Sequence, residues 1–466
     1  MNRYTPLVWF RLLRTELKAT IRLSIPIVIG QLGIILMGVI DTLMLGRVST
    51  TAIAASGASN NVFFLVTILG IGALAVVSPL VASADERKDK ATCHLLLRSS
   101  LWMSIGLGVV LMLIQVVLTY YFEIFRQEAV VTTAAKTYLF WINFSIIPMM
   151  VFLGCKQFTD GVSATKVGMI VTWVGFAVNV VANGLLIFGH VKGAPNGLEG
   201  AGLGTLIARV VMMLLLLLYL IRHSTFKVYL QAIYTRATLL PRIKQLLKMG
   251  TSTAFAYFFE SAAFATAGLL IGGFFGKEPQ AAHQIAISVA SITYMVISGL
   301  GVAGAIRVGQ GFGTMNYAKL LKAGTTALAI GGVLMLVFCL LLISFPSFLV
   351  TLFLDFSQPN KTEVITIATT LMILAGFFQL SDGIQAVALG ILRGIGDVRI
   401  PMIITFTAYW ILGIPMGLLL GVVFEWGVVG IWWGLTAGLT FSALFLTLRF
   451  YKMVAKMRRE ATLALK

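Results

Sequence analysis

Three carboxylates stand where a carboxylate is hardest to keep. Asp41, Glu260 and Asp382 each fall inside a long apolar run, whereas the other acids among the seventeen in the chain lie in polar connections, tails or the ends of such runs. An ionised carboxyl at the centre of a bilayer costs about 2.5–3.5 kcal/mol even on the lenient insertion scale, so it should face a partner, a cavity or a transported ion. Arg209 is the one basic residue that the sequence places at comparable depth, so ion pairing cannot relieve all three. Protonation, a metal cation or a cationic substrate remain, and these are the ligands of a site that couples transport to an ion gradient. Hydrogen bonding of the acids between helices stands as the alternative.

Neighbouring residues extend the pattern. Asn179 and Asn183 are four apart in NVVANGLLIFG and share a helix face, where their carbonyl oxygens can serve a cation or a protonated carboxyl, or can simply bond to a neighbouring helix. Tyr257 precedes Glu260 by three residues and Phe264 follows it by four, so the carboxyl is flanked by rings. Aromatic faces beside fixed negative charge attract organic cations, and the same rings can equally be packing. Gln31, Gln284, Gln379 and Thr42 are polar at helix depth and are candidates for a cavity lining. His94, His190, His223 and His283 are scattered without ligand spacing, which argues against a transition-metal centre. No Gly-Lys-Ser/Thr phosphate loop and no nucleophile–base arrangement occurs, so neither direct ATP drive nor an enzyme is expected, and no cofactor beyond the coupling ion, sodium or proton.

The elements that must hold these residues are membrane helices. The chain of 466 residues is 59% hydrophobic and 11% charged with mean hydropathy +0.96, against about 25% charged residues in soluble domains. Apolar runs predict twelve spans at 23–45, 53–80, 95–119, 134–155, 168–189, 200–221, 249–273, 282–306, 324–346, 366–391, 401–421 and 427–448. Counting Arg98 and Lys136, at the starts of the third and fourth spans, with the connections before them, the N-terminus, the even-numbered connections and the C-terminus hold 28 of the 35 Lys and Arg, from Arg3, Arg11 and Arg14 onward; the odd-numbered connections hold six, and Arg209 is the last. That asymmetry predicts both termini in the cytoplasm of a multi-pass inner (plasma) membrane protein. It also explains the net charge of +18 without nucleic acid. Cys93, Cys155 and Cys339 show no paired spacing, so no disulfide framework is expected.

The halves of the chain repeat each other. GIGALAVVSPLVASA (70–84) lies over ISGLGVAGAIRVGQG (297–311) at an offset of 227, with Gly72 on Gly299. DGVSATKVGMI (160–170) lies over RGIGDVRIPMI (393–403) at an offset of 233, with Gly161 on Gly394. Both registers keep helix order, as a parallel repeat does. The expected organisation is an N-lobe over 1–221, a basic cytoplasmic linker over 222–248, a C-lobe over 249–450 and a basic tail over 451–466.

At this point the chain resembles the MATE family of multidrug and toxic compound extrusion transporters, and its NorM-like branch. The likeness runs end to end and rests on PIVIGQLGIILMGVIDTLMLGRVS around Asp41, NVVANGLLIFG with GLEGAGLGT, YFFESAAFA around Glu260, and QLSDGIQAVALGILRGIGDVRIPMI running into AYWILGIPMG. It implies an all-α membrane protein, twelve helices in two pseudo-symmetric six-helix lobes around a central cleft, acting as a monomeric antiporter that exports organic cations in exchange for sodium or protons. It further implies that Glu260 and Asp382 form the principal cation site, sodium-binding if sodium drives the pump, with Phe264 and Tyr294 beside it, and that Asp41, Asn179 and Asn183 form a second constellation. A lipid-linked oligosaccharide flippase would share the architecture, but its cavity should carry several cations, and the spans offer Arg209 alone. An intramembrane enzyme or a passive channel has less to support it.

Overall fold

The computed structural model describes residues 6–230, 236–351 and 361–464. Arg3, Lys466 and the side chains of Arg11, Arg14, Arg236 and Lys361, counted above for orientation, lie outside the described residues. Every regular element among the described residues is helical. Among the described residues eleven helices are long and apolar enough to cross a membrane, and a bent pair taken as one span, α4, makes twelve passes: α1 Thr15–Gly46, α2 Thr50–Glu86, α3 Lys90–Tyr120, α4 Ala129–Phe144 with Ile146–Gly161, α5 Thr165–Ile187, α6 Gly197–Arg222, α7 Thr238–Phe275, α8 Lys277–Gly313, α9 Tyr317–Ser344, α10 Thr362–Gly394, α11 Arg399–Val423 and α12 Gly427–Leu463. Each expected span matches one of them, overshooting by two residues at the ends of α5 and α9. Two passes are irregular. α4 bends by 41° at Ser145, and α11 contains π-helical turns at Thr407–Gly413 and Leu419–Val423, a form of helix that is frequent at functional sites.

The repeat read from the sequence reappears as backbone geometry. After α2 and after α8 the chain turns through a left-handed residue, Lys88 at φ 60° and Met315 at φ 51°, which stand at the offset of 227. The next residues, Asp89 and Asn316, cap the following helices by accepting from the backbone N–H groups of Thr92 and Lys319, each at 2.9 Å. After α4 and after α10 the left-handed residues are Ser163 at φ 63° and Gly396 at φ 79°, at the offset of 233. Equivalent bonds close the two turns: Ala164 N–H to Thr159 C=O at 2.8 Å, and Asp397 N–H to Leu392 C=O at 3.0 Å. The glycines paired across the halves do the same steric work. A Cβ on Gly161 would come within 2.7 Å of the Ser78 carbonyl and of Val81, and one on Gly394 within 2.7 Å of the Ala305 carbonyl and 2.9 Å of Val308. Helices four and two thus meet as helices ten and eight do, backbone against backbone, as small residues permit in membrane proteins.

A third register, 230, emerges in α6 and α12. Gly197, Gly200 and Gly204 match Gly427, Gly430 and Gly434, with Gly197 and Gly427 both left-handed at φ 54° and 60°. A Cβ on Gly200 would lie 2.8 Å from the Leu186 carbonyl carbon in α5, and Cβ atoms on Gly430 and Gly434 would fall on the backbone of Gly421 and Gly417 in α11. Helices five and six, and helices eleven and twelve, are therefore held at backbone contact.

The chain forms two compact units. One comprises Ile29–Ala254; the other comprises Phe255–Lys466 together with the chain up to Val28. The changeover falls inside α1 and inside α7, at positions that the 227 offset relates to within a residue. Gly72 of α2 packs against Ala254, 2.8 Å from a Cβ to its Cα, and Gly299 of α8 packs against Val28, 3.2 Å from a Cβ to its Cα. Within the first unit the short helix Ser224–Leu230 after α6 is docked through Tyr229, whose hydroxyl donates to Asp85 at 2.7 Å and accepts from Lys90 at 2.8 Å.

Candidate functional site

Asp41 lies on α1 within the unit Ile29–Ala254, 6% exposed. Asn183 Nδ2 donates to Asp41 Oδ1. The Thr205 hydroxyl on α6 donates to Asp41 Oδ2 at 3.2 Å, and Asn179 Nδ2 reaches that hydroxyl at 3.5 Å. Both asparagines are fully buried, and their Oδ1 atoms have no hydrogen-bond partner among the described residues. The expected trio is brought together, and Thr205 completes it. The glycine frame of α6 makes this approach possible, because a Cβ on Gly204 would collide with Asn183 Oδ1. Thr205 was missed in the sequence, although GLEGAGLGT carries it at the end of the conspicuous glycine run.

Glu260 on α7 and Asp382 on α10 lie in the other unit, 5% and 4% exposed. They are close enough to interact electrostatically. Neither has a hydrogen bond or ion pair to a described residue, and Asp382 Oδ1 is fully enclosed without a partner. Tyr294 lies within electrostatic reach of Glu260, Tyr257 and Asp382. The first π-helical turn of α11 brings Tyr409 to the same place, near both acids and accepting from Gln385 Nε2 at 2.9 Å. Phe264 meets the Tyr409 ring at 5.8 Å between centroids and Phe378 at 5.6 Å. Along α10, Gln379 and Gln385 flank Asp382 at three-residue spacing, so they share its face. Their side-chain oxygens are also buried and unpartnered. The result is a ring-lined pair of acids with further oxygen donors and no fixed counter-charge in contact.

Several expectations need correction. Arg209 is not alone among basic residues in the helices. Lys156, near the end of α4, is 7% exposed and pairs with Asp160, 1% exposed, at 2.7 Å. Arg393, in the last turn of α10, is 4% exposed and donates to the Tyr257 hydroxyl at 2.8 Å. Asp160 is therefore a fourth buried acid, held in an ion pair that none of the other three makes. Tyr257 is engaged by Arg393 and does not stand free beside Glu260. Gln284 is on an exposed face of α8, where its backbone carbonyl accepts from Ser288, and no contact ties it to the acids. Thr42 is likewise exposed, bonded to the Gly38 carbonyl at 2.9 Å, and Gln31 is half-buried. Among the described residues no group of three His, Cys, Asp or Glu could hold a metal ion together. The oxygen donors around Glu260 and Asp382 have the hard-ligand chemistry that suits an alkali cation or a proton in transit.

Buried acids with no ion pair inside a twelve-pass helical bundle are the mark of a membrane transporter. Residues 26–185 and 252–419 match the MatE family, and the chain belongs to it. Members of that family are membrane transporters, not enzymes. The chain is 31% identical over 442 residues to the "Probable multidrug resistance protein NorM" of Mesorhizobium japonicum, covering 94% of each. It is 34% identical to the "Multidrug resistance protein MdtK" of Yersinia pseudotuberculosis, covering 93% of this chain and 95% of that one. Among solved structures, the eukaryotic MATE transporter AtDTX14 superposes with a TM-score of 0.85 at 20% identity, over 96% of this chain and 99% of that one. An outward-facing multidrug resistance MATE transporter superposes with a TM-score of 0.84 at 20% identity, over 95% and 96%.

Proposed function

We propose that this chain is a secondary active multidrug efflux antiporter, which exports organic cations in exchange for sodium or protons by alternating access of two six-helix lobes. The observation that carries the reading is the Glu260–Asp382 pair: two buried acids within electrostatic reach of each other, held by no hydrogen bond or ion pair among the described residues, with Tyr294 and Tyr409 near both and Phe264 against Tyr409. Such charge needs a cation, and the ion that supplies it is the coupling ion. A drug cation satisfies the same acids while its rings stack on theirs. Mutually exclusive occupancy then suffices for antiport, because coupling equals the difference in affinity of each ligand for the two arrangements and no more. The names of the NorM and MdtK relatives support the drug-exporting side of this reading.

Asp41, Asn179, Asn183 and Thr205 form a second coupling cluster in this scheme. The lobes are residues 1–221 and 249–450, joined by a cytoplasmic linker over 222–248. The protein acts as a monomer in the bacterial inner membrane with both termini in the cytoplasm, as the 28-to-6 distribution of basic residues supports. One unit charge moving across 100 mV supplies about 2.3 kcal/mol, a roughly fifty-fold concentration ratio.

The test is ethidium efflux from proteoliposomes under a proton gradient and a sodium gradient imposed separately. The wild-type chain is expected to respond to at least one, and Glu260→Gln or Asp382→Asn to neither. Undiminished gradient-driven efflux in both variants, at equal protein content, would remove the acids from the mechanism.

A further inference from the structure

Arg209 is a fixed positive charge beside a set of oxygens that would otherwise suit a metal cation. It lies four residues after Thr205 on α6, hence on the same face and one turn away, and Thr205 itself bonds to Asp41. Its guanidinium is held from two sides. Nη1 donates to Ser145 Oγ at 2.5 Å, at the bend of α4, and the group lies 4.8 Å above the Phe63 ring. Arg209 and Asp41 interact electrostatically across the interval between them, which is too long for an ion pair. Around Asp41 are also the Thr205 hydroxyl and the two enclosed, unpartnered carbonyl oxygens of Asn179 and Asn183.

We propose that Arg209 is a specificity-determining residue of the Asp41 cluster: a built-in counter-cation that excludes sodium from these four oxygen-bearing side chains and confines metal-ion coupling to the Glu260–Asp382 pair. The inference rests on the reading of Asp41 as a coupling cluster. The second unit shows what the absence of such a residue looks like. In the glycine register shared by α6 and α12, the counterpart of Arg209 is Leu439, fully buried in the apolar core. Arg393, a buried cation of that unit, stands eleven residues beyond Asp382 on α10 and is engaged by the Tyr257 hydroxyl at 2.8 Å, with no ion pair to Glu260 or Asp382. Two positive charges on the order of 6 Å apart, at an effective dielectric near 20, lower each other's affinity for a common site by about a hundredfold. Repulsion of that order is what the proposal assigns to Arg209 against a sodium ion beside Asp41.

The experiment is equilibrium binding of radioactive sodium to the full-length detergent-purified chain, carrying Glu260→Gln and Asp382→Asn so that only the Asp41 cluster is read. In that background no binding that depends on Asp41 is expected. Adding Arg209→Gln should create it, with affinity improved by about a hundredfold, adding Asp41→Asn should abolish it again, and Arg209→Lys should leave the cluster closed to sodium. Sodium binding removed by Asp41→Asn while Arg209 is intact would overturn the proposal, and this measurement needs no change at Arg209. A monodisperse Arg209→Gln protein that binds no more sodium than its parent would overturn it too. Failure of the underlying reading shows elsewhere: Asp41→Asn, with Glu260 and Asp382 intact, would then leave proteoliposome efflux unchanged, whatever the binding result.

Discussion

Asp382 and Asp160 are both buried carboxylates, and neutralising them should move stability in opposite directions. Asp160 is paired at 2.7 Å with Lys156, itself 7% exposed. Asp160→Asn leaves that ammonium buried without its counter-charge, and removing one partner of such a pair costs about 3–5 kcal/mol. Asp382 has no such partner, and its Oδ1 is enclosed and unbonded. Leaving a buried polar group unsatisfied costs about 1–3 kcal/mol, and more when it is charged; Asp382→Asn keeps a polar group in place but removes the charge, so it should raise stability where the carboxyl is ionised while abolishing gradient-driven efflux. Both variants should be heated at alkaline pH, where carboxylates carry charge, at one fixed scan rate, since membrane proteins commonly unfold irreversibly. Folded fraction read by size-exclusion fluorescence should fall at a lower temperature than wild type for Asp160→Asn and at a higher one for Asp382→Asn. Equal destabilisation of the two would mean that Asp382 is a structural group, and retention of coupled efflux by Asp382→Asn would refute its place in the site.

Three further outcomes follow from the packing. Gly434→Ala sets a methyl on the backbone of Gly417 and should cost about 1–3 kcal/mol, whereas Gly332→Ala, with nothing within 4 Å, should gain up to about 1 kcal/mol; the same thermal assay ranks them, and equal behaviour would refute the backbone contact of α11 with α12. Lys244→Cys should react with a membrane-impermeant maleimide only from the cytoplasmic side, against a low background because Cys93, Cys155 and Cys339 are all buried; labelling from outside intact cells would reverse the orientation. Tyr229→Ala removes the anchor of the helix Ser224–Leu230, worth about 2 kcal/mol of burial, and should speed tryptic cleavage at Lys227 by about thirtyfold; an unchanged rate would show that Tyr229 does not hold this segment.

The twelve passes were legible because hydropathy integrates over some twenty residues, and an error at a boundary hardly changes the sum. The three acids outside any ion pair were legible for the same reason, since each interrupts an apolar run. Lys156 and Asp160 escaped because they lie near the end of α4, where a sequence shows a loop boundary and cannot show that Gly168 of α5 packs on the Lys156 stem or that α2 meets the adjacent Gly161. Arg393 was hidden in the same way at the end of α10. Tyr409 escaped for a different cause: a π-helical turn displaces the residues around it from the hundred-degree spacing on which face assignments rest. For Gln284 depth was legible but direction was not, and its side chain is exposed on α8. The 230 register was missed because only three glycines carry it, and their meaning lies in the helices they touch.

The exchange inside α1 sets the order in which the molecule can be completed. The chain up to Val28 is made first, but the unit to which it belongs begins again only at Phe255. During synthesis that opening segment waits through the whole of the first unit before Gly299 arrives to meet it. A product truncated after Ala254 would contain every residue of the unit Ile29–Ala254 and still carry an apolar stretch with no partner. Two polypeptides divided within 222–248 would each hold a piece that the other requires, so they should mature only when produced in the same membrane, as complementing fragments and not as independent domains.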